Sequence, residues 1–239
     1  MRMFKGKSFL AIIPARGGSK RLPGKNVRLL AGKPLVNWSV EAALSSKYVD
    51  EVLVSTDSTE VVEAARAVGV SVPFVRPVEL SSDTASSSDV IQHALDFYRN
   101  EQGKIFDYVI LLQPTSPLRT AEDIDSAIEL LSQKKADAVI SVCPMEHSPL
   151  WSNILPEDLS LGNFLRSEVQ GVRSQDLPTY YRINGAIYIC DMKRFTSEKT
   201  LFLKENIFAF VMSSEKSVDI DTLTDFALAE VLISKSRTE

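Results

Sequence analysis

Short β-rich stretches and helix-period stretches alternate along the chain. Apolar or β-branched residues dominate Phe9–Pro14, Glu51–Ser55, Val70–Val75, Tyr108–Leu112, Ala138–Val142, Ala186–Cys190 and Ile207–Val211, which predicts seven strands. Helices are predicted at Leu35–Ser45, Thr59–Val68, Ser87–Glu101, Ala121–Gln133 and Leu223–Ser234. Ser58 before Glu60, and Thr120 before Glu122 and Asp123, place acceptors beside the free N–H groups of two helix starts. This alternation predicts an α/β protein, a Rossmann-like three-layer sandwich with a mostly parallel sheet wound by crossover helices.

The alternation breaks between Pro144 and Tyr181, where four prolines fall and no period is sustained. A connection of that length is either functional, an arm that packs on a partner, or a surface loop. Leu150, Trp151, Ile154, Leu155, Leu161, Phe164 and Leu165 are too apolar to be left in water, which favours a dimerising insertion. The organisation expected is therefore one α/β core from residues 1–142 and 182–239, carrying residues 143–181 as a dimerisation arm within the same domain.

At 239 residues, 44% hydrophobic and 24% charged, the chain can bury such a core. The basic start and the run Phe9 to Ala15 superficially resemble a signal peptide, but the apolar part is short and cut by Pro14 and Arg16. No segment offers the ~20 apolar residues of a membrane span, and the default expectation is a cytoplasmic protein. Cys143 and Cys190 have no ligand-like spacing and are expected to be reduced thiols.

Charge changes the picture. Residues 1–40 carry nine Lys and Arg and no acid, while the remainder holds 18 bases against 31 acids, giving the net charge of −4. A nucleic-acid binder is disfavoured by the pI near 5.4. The cations crowd where the first strand breaks into Ala15-Arg16-Gly17-Gly18-Ser19-Lys20-Arg21, ending at Lys25-Asn26. Such a loop is either an ordinary solvated surface or a seat for a small polyanion, and its backbone N–H groups with fixed cations suit the latter. Five residues separate Gly18 from Gly24 and Asn26 follows Lys25, so it is not a P-loop; no G-x-G-x-x-G is present either.

Ligands of open parallel sheets gather outside the carboxyl ends of the strands. There the chain places Thr56-Asp57, Arg76-Pro77 with Ser81 to Ser87, and Gln113-Pro114-Thr115-Ser116-Pro117-Leu118-Arg119. Asp219-Ile220-Asp221 adds two carboxylates at i and i+2, which extended backbone turns to one face. They either hold Mg²⁺ together with substrate phosphates or cap the helix near Leu223. His93 and His147 stand beside no recognisable nucleophile, so the attacking group should come from a substrate, as in phosphoryl-type transfer.

Five motifs in order resemble the CMP-sialic acid synthetases (acylneuraminate cytidylyltransferases): Ile13 to Lys20 with Lys25-Asn26, Arg76 to Leu80 with Asp83 to Ser87, Leu112 to Arg119, Asn184 to Tyr188, and Asp219 to Asp221. The match spans about residues 9–230. The resemblance implies the nucleotide-diphospho-sugar transferase-like form of the fold. It also implies transfer of CMP from CTP to the anomeric hydroxyl of a nine-carbon 2-keto sugar acid, with release of pyrophosphate. By that resemblance Arg16, Ser19, Lys20 and Lys25 hold the triphosphate, and Asn26, Arg76, Ala85 and Ser87 surround cytosine and ribose. Arg16, Lys20, Lys25 and Asp221 act in catalysis, and Asp219 and Asp221 carry Mg²⁺. Gln113, Asn184 and Tyr188 line the sugar pocket, and Arg173 reaches the sugar carboxylate from a partner subunit through a swapped arm. Trp151 stands where several sialic acid enzymes carry a basic residue. It is either a dimer-core aromatic or a wall for a less polar nonulosonate such as legionaminic or pseudaminic acid. The rival functions are an eight-carbon (Kdo) cytidylyltransferase and a metal-dependent glycosyltransferase.

Overall fold

The computed structural model describes residues 4–82 and 84–236. Strand β1 (Phe9–Pro14) is followed by the basic loop, a short hairpin of β2 (Leu29–Leu30) and β3 (Lys33–Pro34), and helix α1 (Leu35–Ser45). Then come β4 (Glu51–Ser55), α2 (Thr59–Ala67), α3 (Ser87–Gln102), β5 (Tyr108–Leu111), α4 (Ala121–Lys134) and β6 (Ala138–Pro144). The chain closes with β7 (Tyr181–Asp191), α5 (Met192–Glu198), β8 (Ile207–Val211) and α6 (Leu223–Ser236).

Six strands form one sheet in the order β4-β1-β5-β7-β6-β8. All pairings are parallel except those of β7, which runs antiparallel to both β5 and β6. Residues of β1 explain its central place. Phe9, Ala11 and Ile13 point into a core shared with α1, α2 and α4, while Leu10 and Ile12 point into a second core with α3 and α5. Both faces are covered, which is why the strand reads as an unbroken apolar run, and each Leu or Ile buried there is worth roughly 1.5–3 kcal/mol. The three-layer sandwich is thus observed.

Helix starts follow the capping chemistry read from the residues. Ser58 accepts from the Val61 N–H, and Thr120 and Asp123 close a reciprocal capping box at the start of α4. One expected strand fails. Val70–Val75 forms no ladder, although Val70 and Val72 are buried in the first core. Pro73 has no N–H to give, so the run packs its side chains without joining the sheet. Helix α5, which the periodicity did not predict, follows β7 directly and is capped by the Asp191 carboxylate.

Strand β7 is also longer than expected, starting at Tyr181 rather than Ala186. It pairs Cys143 with Arg182 and Pro144 with Tyr181, so β6 and β7 extend beyond the sheet as the stem of the 145–180 segment. That segment holds three short 3-10 turns and leaves Ile154 (89%) and Leu161 (63%) open to solvent, with Trp151 partly so. Among the described residues no helix is long and apolar enough to cross a membrane. Cys143 and Cys190 are buried free thiols, and burial, helped by Asp191, pushes Cys190 up to about 12.

Candidate active site

A cavity of about 550 Å³ opens at the carboxyl end of β1 and β5. Its walls bring together the basic loop (Arg16, Ser19, Lys20, Arg21, Lys25 and Asn26), the turn after β5 (Gln113, Pro114 and Thr115), and the carboxylates of Asp219 and Asp221. The first and last of these lie about 200 residues apart in the chain. Their meeting is made by a third, smaller core in which Leu22 of the loop, Leu30 and Leu35 pack with Ile220 and with Phe226, Ala229 and Ile233 of α6. Ile220 is fully buried, and its N–H donates to the Thr115 carbonyl at 2.8 Å. With Ile220 pinned, the two flanking aspartates both face the cavity.

The loop is held by its own polar groups rather than by a helix N-terminus. The Asn26 amide donates to the Arg16 carbonyl at 2.8 Å, and the Gly17 N–H donates to Asp57 at 2.8 Å. A Cβ on Gly17 would meet that of Ser58 at 3.0 Å, so the close approach to the start of α2 needs glycine. Lys25 reaches across to the Ile220 carbonyl at 2.7 Å and to Asp221 at 3.2 Å, and Arg21 pairs with the other Asp221 oxygen at 2.5 Å. Crowding by surrounding protein holds the Asp219 carboxyl above its ordinary range, and the neighbouring Asp221 charge adds to this. The Thr115 hydroxyl, Lys25 and Arg182 pull the other way. The side chain nonetheless keeps contact with solvent across the mouth of the cavity.

The remaining candidates divide. Arg76 is 4% exposed, with Nε and Nη2 buried and unpartnered. Burial lowers its guanidinium, Asp57 counters this, and Arg16 adds to it, so Arg76 lies in the electrostatic neighbourhood of the loop without lining the cavity. Ala85 and Ser87 stand at the start of α3, capped by Ser86, and are also outside the lining. Tyr188 is 8% exposed, packed in the second core and outside the cavity lining; burial and then the Asp219 charge raise its phenol. Arg173 is exposed on the 145–180 segment, paired with Asp176 at 2.8 Å, and does not line its own chain's cavity.

Asn184 also lies outside the cavity lining. It is 1% exposed, its carbonyl accepts from the Ser141 hydroxyl (2.6 Å) and the Ala186 N–H (3.2 Å), and its amide donates to Ser217 (2.9 Å) and Met212 (3.3 Å). Every hydrogen-bonding position of its side chain is used internally, and through Ser217 it braces the turn before Asp219. Arg21, Pro114 and Thr115 belong to runs marked by the sequence but were given no role there, yet they line the cavity. The charge run contained the signal for Arg21, whereas Thr115 is placed by its contact with Ile220.

A family model described as "Cytidylyltransferase" matches residues 10–236. The chain belongs to the cytidylyltransferase family. This cytidylyltransferase is 41% identical over 232 residues to the CMP-N,N'-diacetyllegionaminic acid synthase of Legionella pneumophila, covering 94% of this chain and 95% of that protein. It is 37% identical over 223 residues to the pseudaminic acid cytidylyltransferase of Campylobacter jejuni, covering 93% and 95%. Against the N-acylneuraminate cytidylyltransferase of Streptococcus agalactiae, the identity is 37% over 220 residues, covering 91% of this chain and 51% of that one. The fold is that of a CMP:2-keto-3-deoxy-manno-octonic acid synthetase solved with CTP, at a TM-score of 0.70 and 20% identity over 96% of this chain and 99% of that one.

Proposed function

We propose that this cytidylyltransferase transfers CMP from CTP to the anomeric hydroxyl of a nonulosonic acid and releases pyrophosphate. The observation that carries the reading is the shared cavity: four loop cations and two carboxylates from the far end of the chain face one volume next to Gln113. Arg16, Lys20 and Lys25 take the triphosphate, with Ser19 and Asn26 ordering the loop around it. The acceptor oxygen bonds to the α-phosphorus as the bond to the bridging α–β oxygen breaks, with net loss of the hydroxyl proton. Negative charge then grows on the departing pyrophosphate, and cations fixed before the reaction stabilise it without reorganisation. Two anions must meet in one site, which accounts for the stretch of forty residues without a carboxylate.

The pair Asp219 and Asp221 offers hard oxygen donors on one wall, and a divalent cation would offset the burial and, after it, the Asp221 charge that raise Asp219. These residues would hold Mg²⁺, which would supply charge neutralisation on the phosphate oxygens. Arg76, with Ala85 and Ser87, would form the nucleoside side of the site. The exposed apolar 145–180 segment supports a homodimer in which each arm crosses to the other chain and brings Arg173 to the acceptor carboxylate.

Among acceptors, a diacetylated legionaminic-type or pseudaminic-type acid is favoured over N-acetylneuraminate. The legionaminic relative matches over nearly its full length, and Trp151 offers an apolar wall on the arm where the resemblance to sialic acid enzymes implies a basic residue. The test is pyrophosphate release from CTP with Mg²⁺ across a panel of N-acetylneuraminic, legionaminic, pseudaminic and eight-carbon acids. Release that requires a nine-carbon acid supports the reading. Release without any acid, with the eight-carbon acid alone, or no release with every member refutes it.

A further inference from the structure

Arg119 is a buried guanidinium, 2% exposed, with no ion pair among the described residues. Its Nη1 donates to the carbonyls of Ala186 at 2.9 Å and Gln113 at 3.3 Å, while Nε and Nη2 are buried without a partner. Burial works against the charge and the nearby Asp123 only partly offsets it, so a hydrophobic side chain of similar length would pack there more favourably. What the guanidinium gains is a grip on two backbone segments just past the end of the β5–β7 ladder.

Gln113 opens the turn that lines the cavity, and Ala186 belongs to an irregular stretch of β7. There the register moves from Ile140↔Tyr188 to Val142↔Ile183, so β6 advances by two residues while β7 advances by five (142−140 against 188−183). The slack brings Gly185 under Gln113. At φ +75° a Cβ on Gly185 would lie 2.6 Å from Gln113 Oε1 and 3.3 Å from Ser116 Oγ. The Ser116 hydroxyl in turn donates to the Asn184 carbonyl at 3.2 Å. Gln113 is therefore held at its backbone by Arg119 and seated at its side chain over a residue that must lack a Cβ.

We infer that Arg119 is a positioning residue which, with Gly185, sets the Gln113 amide for the acceptor sugar acid. This rests on the reading above that Gln113 meets the acceptor. Because the clamp acts on one side of the cavity, its loss should appear in the acceptor's KM and not in that of CTP.

The experiment uses the full chain as R119M, R119K, G185A and Q113A, with thermal melts and pyrophosphate release titrated in acid at saturating CTP and the reverse. R119M is expected to raise the KM for the acid by ~10–100-fold and leave that for CTP within about threefold. R119K still offers an ammonium to both carbonyls and should recover most of the loss. G185A forces the Gln113 side chain aside and should reproduce the acid-specific rise. An unchanged acid KM in R119M, or equal rises for both substrates, overturns the inference; if R119M does not fold, G185A decides in the same way. Q113A separates the two layers. If it leaves the acid KM unchanged, the reading of Gln113 as an acceptor contact falls and the inference with it. If Q113A raises that KM while R119M and G185A do not, only the inference falls.

Discussion

Replacing Asp221 by Asn separates the carboxylate's part in stability from its part in the reaction. The substitution keeps shape and removes one charge that faces Lys25 at 3.2 Å and Arg21 at 2.5 Å. For Lys25, whose side chain is 11% exposed, Coulomb's law at 3.2 Å and an effective dielectric of about 20 gives about 5 kcal/mol of gross attraction. For Arg21, 71% exposed, a dielectric near that of water leaves about 2 kcal/mol. Solvent screening and the 42% exposure of Asp221 itself reduce the net worth of such pairs to roughly 0.2–1 kcal/mol each. Asp221→Asn should then destabilise the fold by about 1 kcal/mol, a fall of about 2–4 °C in Tm for a domain of this size. Against a total of about 5–15 kcal/mol, the folded population is unaffected. Activity should fall far more, by about 10²–10³ in kcat, the scale of removing one electrostatic partner of the transition state. The assay is pyrophosphate release at saturating CTP and acid with Mg²⁺ varied, beside a melting curve. A turnover within a few-fold of the parent at all Mg²⁺ concentrations would sink the assignment of Asp221 to the reaction, and a collapse in Tm would make it a structural residue.

Three further outcomes are expected. Thr120→Ala removes the acceptor of the α4 capping box and should cost roughly 0.5–2 kcal/mol with both KM values unchanged, read from denaturant melts and steady-state rates. The Asp107 carboxylate receives Lys7 at 2.8 Å and the Ser8 N–H at 3.0 Å; burial opposes its charge, but these partners outweigh burial and hold its pKa below the ordinary value. A lowered native pKa contributes stability above the unfolded pKa and loses it as pH falls through the native one, so Asp107→Asn should be less stable by ~1 kcal/mol at pH 7 and match the parent in strong acid. A constant gap across that range would exclude the linkage. On the proposed homodimer, Ile154→Asp, at the most exposed apolar position of the 145–180 segment, should move sedimentation towards the monomer and lower activity; a parent that sediments as a monomer, or a variant that sediments like a dimeric parent, removes the arm from any interface.

Much of the scaffold was already legible in the residues. Apolar and β-branched runs located β1, β4 and β8 to the residue; β1 is buried on both faces and leaves no polar position to blur its limits, whereas β4 and β8 lie at the sheet edges and are only partly buried. Side-chain caps at Ser58 and Thr120 did the same for the starts of two helices, since capping is a contact within four residues. The loop cations and the Asp219-Ile220-Asp221 triplet were visible as chemistry for similar reasons. Where propensity spoke alone it failed: Val70–Val75 is β-rich and buried but, with Pro73 in it, unpaired.

Local pattern cannot report which distant segments meet, and that is what the tertiary structure decided. Nothing in the residues near Asp221 states that Ile220 will be drawn under Leu22 and α6, yet that burial puts the carboxylates opposite the loop. Nor does the motif around Asn184 distinguish a ligand contact from a brace. The difference lies in Ser141 and Ser217, which satisfy its amide from strands and turns far away in the chain. Motifs fix which functional groups are present, because those are properties of single side chains. Orientation and partnership are set by packing between elements, and so they appear only when the chain is folded.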